Sequence, residues 1–175
     1  MIFRKYYFKK VRSTNDQAIK MIKRGVESGA IISEVQTHGR GQHGNKWISI
    51  KGNLFMTIFY KINKKKSITT ITKKNCKIIK KELSKYIKEK VSIKQPNDIL
   101  INKKKVCGIL QETMFNNNKK FLIVGVGINL ISSPKVKKYE TTYLNNYSKK
   151  KITKLSLFYN IKTNYEKNIK YFKFN

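Results

Sequence analysis

Acidic residues are scarce in this chain: nine Asp and Glu stand against forty Lys and Arg, a formal net charge of +31. Cysteine and histidine are scarcer, with two of each. Cys76 and Cys107 stand alone, with no CxxC spacing and no paired-histidine pattern. That excludes a disulfide framework and a structural zinc site of the usual spacing, and it fits a reducing compartment. No Ser/His/Asp or Cys/His nucleophile set is evident. Apolar runs are short as well, none approaching the roughly 18 residues that span a bilayer. Met1–Lys10 mixes aromatics with lysines and lacks the apolar core of a signal peptide. A soluble, cytoplasmic protein with no membrane partner is the expectation.

What is present is enough for one folded domain. A chain of 175 residues with 39% hydrophobic and 11% aromatic content can bury a real core. The charge first suggests a nucleic-acid partner. The cations are nearly all lysine, however, with arginine only at positions 4, 12, 24 and 40. Lysine, asparagine, isoleucine, tyrosine and phenylalanine share A/T-rich codons, so a biased genome would place lysine on every tolerant surface. Nucleic-acid readers favour arginine for bidentate contacts and gather their charge on one element. Incidental basicity, with non-specific polyanion binding at low salt, is the preferred reading.

Hydrophobic periodicity orders the chain as β-α-β-β-α-β-β-β-β-α. Strands are expected at Tyr6–Val11, Ala30–Val35, Asn53–Ile62, Val91–Lys94, Ile99–Ile101, Val106–Phe115 and Phe121–Ile131. Ser13-Thr14-Asn15-Asp16 opens a first helix that Gly25 or Gly29 ends. A second helix runs from about Ile71 to Glu89, after a lysine-rich turn at Asn63–Ser67. Leu155, Phe158, Tyr159, Tyr165, Ile169 and Phe172 give a third. Pro96 disfavours helix at Gln95, so Gln95-Pro96-Asn97-Asp98 is a turn. Gly125 and Gly127 inside the most β-like stretch imply a bulge or a close approach. The order predicts an α/β or α+β domain with a mixed, largely antiparallel sheet.

Gln36–Trp47 interleaves Gly39, Gly41 and Gly44 with Arg40, Gln42, His43 and Lys46. Positive φ at glycine can turn successive N–H groups towards one point, so this loop is suited to wrapping a phosphate or carboxylate. A basic surface hairpin is the plainer alternative. The loop is not a P-loop, because Lys46 precedes Trp47 and no Gly-Lys-Ser/Thr opens a helix. His38 and His43 read as loop residues more than as ligands or bases. Ser13-Thr14-Asn15 reads either as a helix cap or as a polar-ligand site at a helix N-terminus.

Four segments in order carry a resemblance. They are Ser13-Thr14-Asn15-Asp16; Gln36–Trp47; Gln95-Pro96-Asn97-Asp98 with Lys105-Val106-Cys107-Gly108-Ile109-Leu110; and Val124-Gly125-Val126-Gly127-Ile128-Asn129. Together they resemble the catalytic domain of biotin protein ligases, over about residues 1–170. The resemblance implies a biotin/lipoate ligase catalytic domain related in fold to class II aminoacyl-tRNA synthetases, filling residues 1–175. Because the motifs begin at Ser13, no N-terminal helix-turn-helix and hence no repressor role is expected, and the small C-terminal β domain typical of the family is expected to be absent, a departure from its pattern. The implied activity joins biotin to ATP as biotinyl-AMP, with Mg²⁺, and transfers biotin to a lysine of a biotin carboxyl-carrier protein. A homodimer is left open.

By the same resemblance, Ser13, Thr14, Asn15 and Gln36 bind the ureido end of biotin. Gly39, Arg40, Gly41 and Gln42 close over its carboxylate and the adenylate phosphate. Lys105 lies beside the reacting carboxylate and α-phosphate, and Lys105 and Arg40 are the catalytic cations. Trp47 and Asn129 face adenine, while Asn97 and Asp98 form the wall near the triphosphate and Mg²⁺. The loop is expected to order on ligand binding. Departures from the family pattern are Gln42 and Asn45, where arginine is usual, and Gln95, where tryptophan is usual. A lipoate or octanoate ligase or transferase is the alternative enzyme, and a basic nucleic-acid-binding module the alternative outside enzymes.

Overall fold

The structure, a computed structural model, describes residues 1–63 and 67–173. Seven strands form one sheet: β1 (Lys5–Val11), β2 (Ser28–Gln36), β3 (Leu54–Lys61), β4 (Val91–Lys94), β5 (Asp98–Ile101), β6 (Lys104–Asn116) and β7 (Lys119–Ile128). Their spatial order is β1-β2-β3-β7-β6-β5-β4. β1 and β2 are parallel, joined by helix α1 (Thr14–Lys23) as the crossover such a pair needs, and every other pairing is antiparallel. Helices α2 (Ile68–Leu83) and α3 (Lys154–Lys173) complete the expected order. Among the described residues no helix is long and apolar enough to cross a membrane.

β3 sits mid-sheet and is buried almost throughout, as a strand covered on both faces must be. Leu54, Met56, Ile58 and Tyr60 join the large core with Ile71, Ile79 and Leu83 of α2 and Leu157, Phe158 and Tyr165 of α3. Phe59 joins the smaller core with Ala18 and Ile22 of α1. The period-2 alternation of the strand therefore feeds two layers. Tight turns join the later strands. Asn102 and Lys103 (φ 47° and 66°), and Asn117 and Asn118 (φ 46° and 59°), take the left-handed pairs that two-residue hairpins require.

Several expected boundaries move. α2 starts at Ile68 and stops at Leu83 instead of Glu89. Tyr86 and Ile87 pack on the core from the turn beyond the helix, so their apolar character mimicked another helical turn. Gly25 (φ 89°) follows the end of α1, whereas Gly29 lies inside β2. There a Cβ would come within 2.6 Å of the Tyr6 ring and 2.9 Å of the Phe59 ring. β7 ends at Ile128 because the chain beyond it is held by Asn53: Leu130 N–H (2.9 Å) and Ile131 N–H (3.0 Å) donate to Asn53 Oδ1. The centre of the lysine-rich turn and the side chain of Phe172 lie outside the described residues.

Candidate active site

The three strands β3, β7 and β6, with the N-terminus of α1 and the 39–47 loop, enclose a cavity of about 420 Å³. Ser13, Thr14, Asn15, Gln36, Arg40, Gly41, Gln42, Trp47, Asn97, Asp98, Lys105 and Asn129 all border it. Gly39 does not. It packs instead under the hairpin, where a Cβ would meet Trp47 O at 2.5 Å and Ser49 Oγ at 2.7 Å.

Ser13 is the N-cap residue of α1, yet its hydroxyl makes no capping bond and its side chain lines the cavity. Thr14 and Asn15 are buried beside it and belong to a continuous network. Gln36 Oε1 accepts from Thr14 N–H (2.8 Å) and Thr14 Oγ1 (3.1 Å), while Gln36 Nε2 donates to Ser49 Oγ (3.1 Å). The buried Thr57 hydroxyl donates to Asn15 Oδ1 (2.7 Å) and lies 2.8 Å from Thr14 Oγ1. Five polar side chains, Thr14, Asn15, Gln36, Ser49 and Thr57, are thus fixed before any ligand arrives, which lowers the ordering cost of recognition.

The glycines of β6 and β7 make room. A Cβ at Gly125 would strike the Asn15 amide. At Gly108 and Gly127 it would fall 2.7 Å and 2.5 Å from the Trp47 ring. The close approach read from Gly125 and Gly127 is therefore what their lack of a side chain permits. Trp47 lies against bare backbone, with its Nε1–H buried and unpartnered, and Asn129 Oδ1 is likewise buried without a partner. Both line the cavity, so a free donor and a free acceptor await a ligand there.

The 39–47 loop is a hairpin closed on itself. Arg40 and Lys46 form a bridge, Gly41 N–H donates to Asn45 O (2.6 Å), and Trp47 N–H donates to Gly39 O (2.9 Å). Positive φ occurs at His43 (53°) and Gly44 (75°), not at Gly39 or Gly41. The first two glycines serve packing and approach, and the turn itself uses the last. His38 Nδ1 lies 3.0 Å from Thr37 Oγ1, outside the cavity.

Of the three consecutive lysines, one faces the cavity. Lys103 is exposed in the hairpin turn, and Lys104 reaches Glu140 at 3.5 Å on the surface. Lys105 Nζ is 2.8 Å from Asp98 Oδ1, with its side chain only 16% exposed. The cause is a β-bulge where the β5–β6 register slips between Ile99 and Leu100. Val106 and Cys107, adjacent in sequence, both enter the large core. That breaks the alternation and leaves Lys105 on the cavity face with Gly108. Rings flank the ammonium, Tyr139 at 4.9 Å and Trp47 at 5.7 Å from their centroids, and both distances suit cation–π attraction. Asn97 is tied down by donating Nδ2 to Ile109 O (2.8 Å).

Sequence reasoning missed two carboxylates. Arg40 makes a bidentate pair with Glu112 (Nη1–Oε1 3.0 Å, Nη2–Oε2 2.7 Å) and a further pair with Asp16 (3.0 Å). Asp16 figures in the sequence only within the Ser13–Asp16 helix start and motif, with no role of its own, and Glu112 only as a strand residue. Tyr139 was also missed, since the irregular stretch after β7 carries no motif. Among the described residues no cluster of three His, Cys, Asp or Glu could hold a metal ion. Burial raises the Cys76 thiol to about 11, with the charge of Asp98 adding, and it pushes Cys107 up still more decisively.

The chain is similar to known proteins in sequence and in fold. The bifunctional ligase/repressor BirA of Escherichia coli is 32% identical over 123 residues, which cover 69% of this chain and 38% of that protein. The biotin–[acetyl-CoA-carboxylase] ligase of Paracoccus denitrificans is 28% identical over 126 residues, 70% of this chain and 52% of that protein. The chain thus matches less than two thirds of the length of either relative. The crystal structure of the Aquifex aeolicus biotin protein ligase with biotin and ATP superposes with a TM-score of 0.81 at 26% identity, over 97% of this chain and 72% of that one. Residues 7–129, most of the chain, match the biotin/lipoate A/B protein ligase family, and the protein belongs to that family.

Proposed function

We propose that this chain is a biotin protein ligase: it activates biotin with ATP and transfers the biotinyl group to a lysine of a biotin carboxyl-carrier protein. The observation that carries the reading is one cavity lined both by a prearranged amide-and-hydroxyl set, Thr14, Asn15 and Gln36, with the Ser13 hydroxyl beside it, and by a largely buried cation, Lys105. A ureido ring offers two N–H donors and a carbonyl acceptor, which such a set can match. A lipoyl chain has no such group, so the lipoate alternative leaves these buried side chains without a purpose.

In the first step a biotin carboxylate oxygen bonds to the α-phosphorus, and the bond from that phosphorus to the bridging oxygen breaks, releasing pyrophosphate. Two anions meet, so positioned positive charge and N–H donors matter more than a base. Lys105 meets that need, with the Gly41 and Gln42 backbone contributed by the hairpin that Arg40 anchors through Glu112 and Asp16. Trp47 Nε1–H and Asn129 Oδ1, both unpartnered, suit an adenine edge. Mg²⁺ commonly keeps water ligands and is held by one or two carboxylates together with substrate phosphates. Asp98, the carboxylate bordering the cavity, fits that role for Mg²⁺ carried by ATP. In the second step a neutral lysine of the carrier attacks the acyl carbon and AMP leaves, while the amine sheds its proton.

Lysines lie on all three helices, in the Asn102–Lys103 turn and at the start of β7 instead of on one element, which supports incidental basicity over a nucleic-acid module. ATP supply and the two free, buried thiols favour a cytoplasmic location. The test is incubation with ATP, Mg²⁺, labelled biotin and a carrier domain. Label on the carrier lysine is expected; label on a lipoyl domain from octanoate or lipoate, with none from biotin, overturns the reading.

A further inference from the structure

Glu112 lies in the middle of β6, opposite Ile123, and borders no part of the cavity. Its two oxygens nevertheless serve two separate elements that do. Oε1 accepts from Arg40 Nη1 at 3.0 Å, and Oε2 accepts from Arg40 Nη2 at 2.7 Å and from Asn15 Nδ2 at 2.8 Å. Asp16, next to Asn15 on α1, shares Nη2 of the same guanidinium, its Oδ1 lying 3.0 Å from that nitrogen. Asn15 in turn joins Thr57, and through it Thr14 and Gln36. A single carboxylate thus ties the hairpin loop to the prearranged polar set.

A bidentate arginine pair is directional as well as charged, and it fixes the guanidinium in a plane. Arg40 lies two residues before Gln42, where the hairpin begins its turn, so holding its side chain holds the loop. On the Asn15 side, the bond to Glu112 settles which way the amide faces. Nδ2 must point to the carboxylate, which leaves Oδ1 for Thr57. Resting on the biotin ligase reading, we propose that Glu112 is a positioning residue that couples the ring-recognition set at the start of α1 to closure of the 39–47 loop, by orienting Asn15 and anchoring Arg40 together.

Glu112→Gln tests this with little change in volume. Glutamine can still accept from Asn15, but it cannot form the charged double bond to Arg40. In the free protein, tryptic cleavage after Arg40 and Lys46 should quicken about tenfold, the expected order for losing a hydrogen bond to a charged group. Far-UV circular dichroism should stay unchanged. This readout needs no ligand and does not depend on the ligase reading. With biotin and ATP, dissociation of biotinyl-AMP should quicken about tenfold in Glu112→Gln, but less than twofold when Arg40→Ala is already present. Unchanged cleavage, or additive effects of the two substitutions on dissociation, overturns the proposal. If wild-type protein forms no biotinyl-AMP while Glu112→Gln still loosens the loop, the ligase reading falls and the anchoring role stands.

Discussion

The amide of Asn15 occupies the space that a Cβ on Gly125 would need. One residue opens α1 and the other lies midway along β7, and their contact fixes how deeply the helix N-terminus sits on the sheet. Around it Asn15 uses Nδ2 on Glu112 and a longer contact to Leu110 O, while Oδ1 accepts from Thr57 and keeps a second lone pair for a ligand.

Gly125→Ala should therefore damage binding more than folding. The added methyl must displace the Asn15 amide, at a cost of about 1–3 kcal/mol typical of overpacking, and the displacement falls on the polar set. Biotin affinity measured by calorimetry should drop at least about tenfold, with the helical and strand content retained. Gly25→Ala serves as the contrast, because its φ of 89° and open surroundings predict strain without any effect on the cavity. That variant should lose about 1 kcal/mol of stability and keep wild-type affinity. Equal affinity in Gly125→Ala and wild type would show that Asn15 does not read the ligand.

The three lysines before Val106 should separate cleanly in activity. Lys105→Ala removes the cation facing the reacting anions and leaves Asp98 without its partner, so biotinyl-AMP formation should fall by about 10²–10³. Lys104→Ala breaks a surface pair with Glu140, the kind worth about 0–1 kcal/mol, and should turn over nearly as wild type. Single-turnover formation of labelled biotinyl-AMP measures both. Comparable losses in the two variants would mean that the bulge does not select Lys105 for the chemistry.

Much of the fold was readable because long apolar runs such as Leu54–Tyr60 and Phe121–Val126 have few alternatives to a central strand. Among the described residues, the order of the seven strands and three α-helices followed from that and from glycine and asparagine turns. What escaped was non-local or broke a local rule. The bulge at Val106 turns Lys105 round, yet nothing but two adjacent apolar residues hints at it. Glu112 acquires its meaning from Arg40, 72 residues away, and from Asn15, 97 residues away. Gly39 looked like a turn residue, and its actual constraint is the Trp47 carbonyl pressed against it. The site residues were gathered by motif order, whereas the contacts that hold them had to be seen.

The family resemblance leads one to expect arginine at the hairpin position of Gln42, and its absence predicts that the adenylate leaks. Gln42→Arg adds a cation at the cavity wall without disturbing the turn, because Asn45 holds that turn through the Gln42 backbone carbonyl (2.9 Å). Release of biotinyl-AMP should slow by about tenfold, the order expected for one charge-assisted contact to phosphate. Asn45→Arg should not give the same gain, since it removes the bond that shapes the loop. An off-rate unchanged by Gln42→Arg would place the phosphate elsewhere.

The buried thiols should make the fold sensitive to alkali. In the unfolded chain a cysteine ionises near 8.5–9, whereas burial lifts Cys76 to about 11 and Cys107 also upward. The folded state therefore holds these protons more tightly. Their contribution is complete below about pH 8.5, declines as the unfolded thiols ionise, and is gone once pH passes the folded value. Neutralisation of surface lysines in the same range relieves repulsion and works the other way, so the comparison must be with a variant lacking the thiol. Cys76→Ala should be less stable than wild type at pH 7.5 by about 1 kcal/mol, for the lost packing and hydrogen bond to Pro96 O. Between pH 8 and pH 11 the difference in urea-unfolding free energy should move by on the order of 2 kcal/mol towards the variant, which becomes the more stable of the two. A gap that stays constant across that range would mean that the Cys76 thiol keeps its unfolded ionisation in the native state, and that the interior between α2 and the β5 turn admits water.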